Sequence, residues 1–207
     1  MLVNRVISYI DGFNFYFGLR AKGWQKYYWL DLAAMTRSFL KQGQQFVHCH
    51  YFTARIRQQP NGQSAKRQSL WLDALATQGE ITCHFGHYLP KDQQCRSCGA
   101  TWVSHEEKMT DVNIATQLLV DAYDDHYDTA IIVSGDSDLT TPVRQIRTRF
   151  PNKRLIIAFP PTRRSAELKK AAHGHFVIGA DKLRQNLLPD EIKTPSGYVL
   201  KRPNRWY

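Results

Sequence analysis

Short, unbroken apolar runs alternate along this chain with stretches whose apolar residues recur every three or four positions, and this change of period limits the folds open to it. Val6-Ile7-Ser8-Tyr9-Ile10 reads as a first strand buried on both faces, and so do Ala130-Ile131-Ile132-Val133 and the run from Arg154 to Phe159. Phe46 to Thr53 reads as a second strand and Ile81 to Leu89 as a third. Leu32 to Leu40 reads as a helix with Asp31 as its N-cap, and Gln63 to Thr77 as another after the turn at Pro60-Asn61-Gly62. Val112, Ala115, Leu119, Ala122 and Tyr123 share a helical face, and further helices are expected from about Leu139 to Arg149 and from about Ser165 to Ala172. Strands alternating with helices imply an α/β fold, a mainly parallel sheet with helices on both faces. The 207 residues fit one such domain with a small insert.

Acids stand where two of these strands stop. Asp11 ends the first apolar run, and Ser134-Gly135-Asp136-Ser137-Asp138 follows the run at 130–133; Asp111 opens the amphipathic stretch at 112–123. In open α/β sheets the ligand crevice lies beyond the carboxyl ends of the strands, so these acids are expected to converge. Converging carboxylates need a cation, because like charges at a few ångströms push one pKa up. A hard cation such as Mg²⁺ or Mn²⁺ on Asp11, Asp111 and Asp136, with Asp138 as a further ligand, points to hydrolytic phosphoryl chemistry. Asn14 is placed to orient Asp11 or to donate to a phosphate, and Lys108 to offset charge on phosphate oxygens. Asp138 equally fits a helix N-cap before Leu139 and Pro142, Asn14 a cap for the helix that follows, and Asp111 a charge at a helix N-terminus. Asp121, Asp124 and Asp125 read as the polar face of their helix.

Charge indicates the partner. A formal net charge of +10 and pI near 9.6 favour a polyanion. Arg163 and Arg164, after the strand ending at Phe159, are expected on the same edge as Asp11 and Asp136 and are candidate phosphate contacts, as are Arg55 and Arg57 after the second strand. Arg144, Arg147, Arg149, Lys153 and Arg154 lie toward the opposite end and read as solvated surface. With 43% hydrophobic residues the chain can bury a core. No window nears about 18 consecutive apolar residues, and the start carries no signal-peptide pattern, so a cytoplasmic protein away from membranes is expected.

The stretch from Pro90 to His105 has no clear period and reads as an insert, which with the candidate ligands before it spans about 83 to 105. Cys95-Arg96-Ser97-Cys98 has the tight-turn form of a zinc knuckle; two more ligands are needed, with His87 and His105 leading and Cys83 as the alternate. Such a zinc would be structural. Cys49 reads as a buried core thiol. From 188 to 207 the chain is basic, with Pro189, Pro195 and Pro203, and reads as an extended tail after a domain of 1–187.

Three motifs in order carry a family resemblance: Asp11-Gly12-Phe13-Asn14, Glu107-Lys108-Met109-Thr110-Asp111-Val112, and Tyr127 to Asp138 with its Ser134-Gly135-Asp136-Ser137-Asp138. Together they resemble NYN-domain proteins of the LabA type, within the PIN-like nucleases, over about residues 5 to 185. The resemblance implies a three-layer αβα sandwich and metal-dependent cleavage of RNA, most simply as an endoribonuclease. It matches Asp11, Asp111 and Asp136 to the acidic positions and Asn14 to the Asn of the first motif. Many relatives have no demonstrated cleavage, so the alternative is a catalytically silent RNA-binding module. A haloacid-dehalogenase-like phosphatase would want an acid two residues after Asp11, where this chain has Phe13. The oligomeric state stays open, a homodimer included.

Overall fold

A computed structural model describes residues 3–56 and 62–207, with backbone alone at 90 and 104–106. Five of the strands expected from sequence and two more build one seven-stranded sheet. In chain order the elements are β1 (Asn4–Asp11), α1 (Gly12–Ala21), α2 (Leu32–Arg37), β2 (Gln44–Ala54), α3 (Gln63–Ala76), β3 (Ile81–Gln94), β4 (Thr101–Lys108), α4 (Thr110–Tyr123), β5 (Thr129–Val133), α5 (Thr140–Arg149), β6 (Arg154–Phe159), α6 (Ala166–Ala171), β7 (Gly174–Val177) and α7 (Ala180–Arg184), then a hairpin of β8 (Glu191–Lys193) and β9 (Val199–Lys201). The strand order is β4-β3-β2-β1-β5-β6-β7, parallel except at β3–β4.

Alternate side chains of the central strands feed two cores, as the period of a strand dictates. Val6 and Ile10 of β1, with Ile131 and Val133 of β5, pack under α1, α2, α3 and α7. Ile7 and Tyr9, with Ala130 and Ile132, pack under α4, α5 and α6. The result is the three-layer αβα sandwich of the PIN-like class. Strand order reverses between β1 and β5, and the crevice for ligands in such sheets opens beyond the carboxyl ends of those two strands.

The expected insert is a β-hairpin. His87 to Gln94 of β3 pairs antiparallel with Thr101 to Lys108 of β4, and Cys95 to Ala100 make the turn. Because β3 runs past the edge where β2 stops, β4 returns the chain to that same carboxyl edge, with Lys108 opposite His87 and one residue beyond Gly86, the partner of Ala54. The α4 helix therefore starts at the edge where β1 and β5 end.

The tail does not run free, as its prolines suggest. Leu188, Leu200 and Trp206 are buried in the same core as α1 and α3, and the indole of Trp29 donates to the Pro189 carbonyl at 2.8 Å. Apolar residues at 188, 200 and 206, rather than the prolines, decide where this segment lies. Among the described residues no helix is long and apolar enough to cross a membrane.

Candidate functional site

Asp11 is the last residue of β1 and the N-cap of α1, only 3% exposed. One carboxylate oxygen accepts from the Asn14 backbone N–H at 2.9 Å and the other from the Ser134 hydroxyl at 2.9 Å. The same Ser134 oxygen accepts from the Asp136 N–H at 3.0 Å, and the side-chain carbonyl of Asn14 accepts from the Gly135 N–H at 2.9 Å. Two of these four bonds, Ser134 to Asp11 and Gly135 to Asn14, join the start of α1 to the loop after β5, and the other two brace each side. Asn14 accordingly acts as a brace between loops, and its own backbone is capped by Asp11.

The competing readings of the other acids now separate. Asp136, half-buried, is the cap: it accepts from the Asp138 N–H at 3.0 Å at the start of the 3-10 turn Ser137–Leu139. Asp138 lies inside that turn with its side chain exposed, so the cap assignment passes to its neighbour. Asp111 lies in the first turn of α4. The Thr110 N–H just before it donates to Glu107 at 3.0 Å, and the Thr110 hydroxyl donates to the same oxygen. Glu107 thus closes the helix start, which frees Asp111 from that task, and adds a further acid to the edge. Met109, between them, holds a left-handed backbone (φ 81°) that turns β4 into α4.

Burial is the largest cause that pushes the Asp11 carboxyl up to about 7; the charges of Asp111 and Asp136 push the same way, against its two hydrogen bonds. Asp111 is pushed up to about 6 by burial, then by Asp136, Glu107 and Asp138. The charges of Asp111 and Asp136 thus act on Asp11, and those of Asp136 and Asp138 on Asp111. As they stand, no three His, Cys, Asp or Glu side chains among the described residues are grouped to hold a metal ion. Mg²⁺ needs fewer, since one or two carboxylates plus waters and phosphate oxygens complete its shell. Carboxylates raised by burial and by neighbouring acids are the donors whose charge such an ion offsets, so the residues fit it.

Glycines let the flanking segments close in. A Cβ on Gly135 would stand 2.7 Å from the carbonyl of Arg163, so the basic loop lies against the acidic one. A Cβ on Gly86 would stand 2.6 Å from the Lys108 carbonyl and 2.7 Å from Glu107. Arg163 and Arg164 are exposed on this edge, with the Arg163 guanidinium 5.9 Å from the Phe17 ring. The exposed Arg55 guanidinium packs over Phe85 at 4.7 Å. Lys108 ends β4, exposed, at the same edge. Arg57 lies outside the described residues.

Among the described residues, His87 and Cys83 are not brought to Cys95 and Cys98. Cys95 and Cys98 sit at the hairpin tip, where Gly99 N–H donates to the Cys95 carbonyl at 2.9 Å. Hydrogen bonds from the Cys98 and Ser97 backbone lower the Cys95 thiol pKa. His87 is at the hairpin base, on an extended strand well removed from Cys95, and Cys83 is further still. The side chain of His105 lies outside the described residues. Cys49 is fully buried, as expected of a core thiol.

Three groups carry roles that sequence reading missed. Ser134 is one, inside a motif quoted for its acids. Lys153 is another: read as solvated, it is 6% exposed and donates to Asp125 and, at 2.7 Å, to the Tyr127 carbonyl. Asp121 is the third. Read as helix surface, it is 2% exposed, accepting from Tyr9 at 2.6 Å and Gln117 at 3.0 Å and pairing with His50 at 3.3 Å and His126 at 3.0 Å. Only Gln117, four residues before it on the same helix, and His126, five after it, left local signals.

A second concavity adjoins the acidic edge. It measures about 430 Å³ and runs from Gly12, next to Asp11, between α1 and α3 to Trp206.

Comparison with known proteins agrees with the geometry. The family model described as the NYN domain matches residues 5–181. The chain is 28% identical to the 6-hydroxy-3-succinoylpyridine 3-monooxygenase HspA of Pseudomonas putida, over 98% of this chain and 75% of that protein. The crystal structure of a protein of unknown function from Vibrio parahaemolyticus superposes with a TM-score of 0.55 at 21% identity, covering 89% of this chain and 96% of that one, which supports the fold.

Proposed function

The chain belongs to the NYN domain family, and we propose that it is a metal-dependent ribonuclease, an endonuclease that hydrolyses RNA phosphodiester bonds at the carboxyl edge of β1 and β5. The observation that carries the reading is the pair of bonds, Ser134 to Asp11 and Gly135 to Asn14, that joins the end of β1 to the loop holding Asp136; Asp11 and Asp111 are both raised, first by burial and then by neighbouring carboxylates, which suits a hard cation. Asp11, Asp111 and Asp136 would hold Mg²⁺ or Mn²⁺, with Asp138 within reach of a bound water. Bound there, such an ion polarises a phosphate oxygen and lowers the pKa of a coordinated water.

The protein's own residues do the rest. Ser134 and Asn14 fix Asp11 so that no side-chain entropy is lost when the site fills. Arg163 and Arg164, held against the acidic loop by Gly135, receive the negative phosphates, and Arg55 extends the basic rim. Lys108 at the end of β4 supplies charge for the oxygens of the transition state.

Labelled RNA incubated with the full chain should be cut in Mn²⁺ or Mg²⁺ and spared in EDTA, and an Asp11→Asn/Asp136→Asn double variant should be inert. Cleavage that survives in the double variant sinks the assignment. Binding of RNA without cleavage by the wild type would instead support the silent RNA-binding module. A second reading, oxygenation of a small aromatic ring, is favoured by the name of the Pseudomonas putida relative. It requires dioxygen and an external two-electron donor, so oxygen uptake with such a donor and a hydroxylated pyridine separates it from hydrolysis.

A further inference from the structure

The concavity beside Gly12 is an open cleft of about 430 Å³. Ligand sites start at about 300 Å³ and combine apolar walls with a few polar groups. Aromatic rings dominate its wall, among them Phe13, Tyr28, Tyr51, Trp71, Tyr88 and Trp206. Three cations join them, Arg20, Arg67 and Arg205, and no acid is among its described lining residues.

Two of the polar groups in the walls are already bonded. The Trp71 indole donates to the Leu30 carbonyl at 3.0 Å. Gln68 is used at both ends, accepting from the Ile56 N–H at 2.8 Å and donating to the Ala54 carbonyl at 3.0 Å. Tyr28 is different: its hydroxyl oxygen is buried and has no hydrogen-bond partner among the described residues. The Tyr16 ring lies alongside, with centroids 5.1 Å apart, and the two phenols interact electrostatically without the geometry of a hydrogen bond. A buried hydroxyl left unsatisfied carries a desolvation cost, so a position of this kind calls for an explanation.

We infer that this cavity binds a flat aromatic ring bearing a hydrogen-bond acceptor and an anionic group. The aromatic walls stack the ring, the Tyr28 hydroxyl donates to the acceptor, and the arginines hold the anion. Two sources supply this chemistry: an unstacked nucleotide of a strand lying across the Asp11 edge, or a free heteroaromatic acid. The inference does not depend on the cleavage proposed above, because binding in the cavity requires neither the metal nor the carboxylates.

The test is a titration of the full chain in EDTA with each of the four nucleoside 5′-monophosphates and with pyridine-3-carboxylate. Tryptophan fluorescence reports occupancy, since Trp71 and Trp206 line the cavity, and calorimetry checks it. At least one ligand should saturate with a Kd near or below about 1 mM. Tyr28→Phe and Arg67→Ala should each weaken it about tenfold, the effect of one hydrogen bond or ionic contact. Asp11→Asn should leave it unchanged, which keeps this result separate from any failure of catalysis. Saturation by a mononucleotide identifies a nucleic-acid strand as the source, and saturation by pyridine-3-carboxylate alone identifies a free aromatic acid. Tyr28→Phe removes a hydroxyl that has no hydrogen-bond partner among the described residues and should fold as well as the wild type; if it does not, Arg67→Ala decides. Absence of saturation by all five ligands, or saturation that neither variant alters, overturns the inference.

Discussion

The Ser134 hydroxyl donates to the Asp11 carboxylate at 2.9 Å across 123 positions of sequence, and both groups are buried. This one bond ties the end of β1 to the end of β5 at the point where strand order reverses. Ser134→Ala removes it and the acceptor for the Asp136 N–H. We expect a loss of about 1–3 kcal/mol in urea unfolding, together with an Asp11 pKa above its wild-type value, since the bond holds it down.

Asp11 itself destabilises the fold at neutral pH. Its carboxyl is raised in the folded state, so the folded protein holds that proton more tightly than the unfolded chain does. Stability from this group is therefore greatest below about pH 4 and falls as pH rises toward 7. The shift from the ordinary range to about 7 corresponds to on the order of 4 kcal/mol. In EDTA at about pH 8, above the raised pKa, Asp11→Asn should melt several degrees above the wild type, and Mn²⁺ should raise the melting temperature of the wild type alone. A variant that melts no higher than the wild type would count against the raised carboxyl.

Gly135→Ala drives a methyl into the Arg163 backbone, 2.7 Å from its carbonyl carbon and oxygen. Overpacking of this kind costs about 1–3 kcal/mol. The basic loop has to move off the acidic one, so RNA affinity should fall with stability. Stability lost with RNA affinity intact would separate Arg163 and Arg164 from the binding surface.

Asp121 has the opposite pH signature. Burial alone would raise its carboxyl, but hydrogen bonds from His50, Tyr9 and His126 outweigh that and hold it well below the ordinary range. Its stabilising effect is present above about pH 4 and is lost as pH falls further. The acid limb of the stability profile should flatten in Asp121→Asn, and an unchanged limb refutes the assignment.

Ending the chain at residue 187 removes Leu188, Leu200 and Trp206 from the core. At about 1.5–3 kcal/mol for each large apolar side chain, that is a substantial part of the stability of a domain this size. The truncated protein should unfold at a much lower denaturant concentration than the full chain.

Where a reading rests on local pattern, it agrees closely with the structure. The helix expected from Gln63 to Thr77 runs from Gln63 to Ala76, and Asp31 caps α2 by accepting from the Ala34 N–H at 2.8 Å. Period and caps are properties of neighbouring residues, so they survive without knowledge of the fold. The β3–β4 hairpin is less legible, because residues 90–105 lack alternation and their turn residues also suit a metal knuckle.

Local pattern was enough to establish the α/β class and the strands that end in acids, among them Asp11 and Asp136 of the proposed site, because an apolar run that stops at a carboxylate is visible among neighbours in the chain. Which groups surround those acids came from contacts across the fold. Ser134 reaches Asp11, Glu107 rather than Asp111 closes the start of α4, Asp121 is buried among histidines, and Trp206 returns to the core. Most of these contacts join segments far apart in the chain. Hydrophobic period specifies which face of an element is buried, and strand order alone specifies which distant residues share that face.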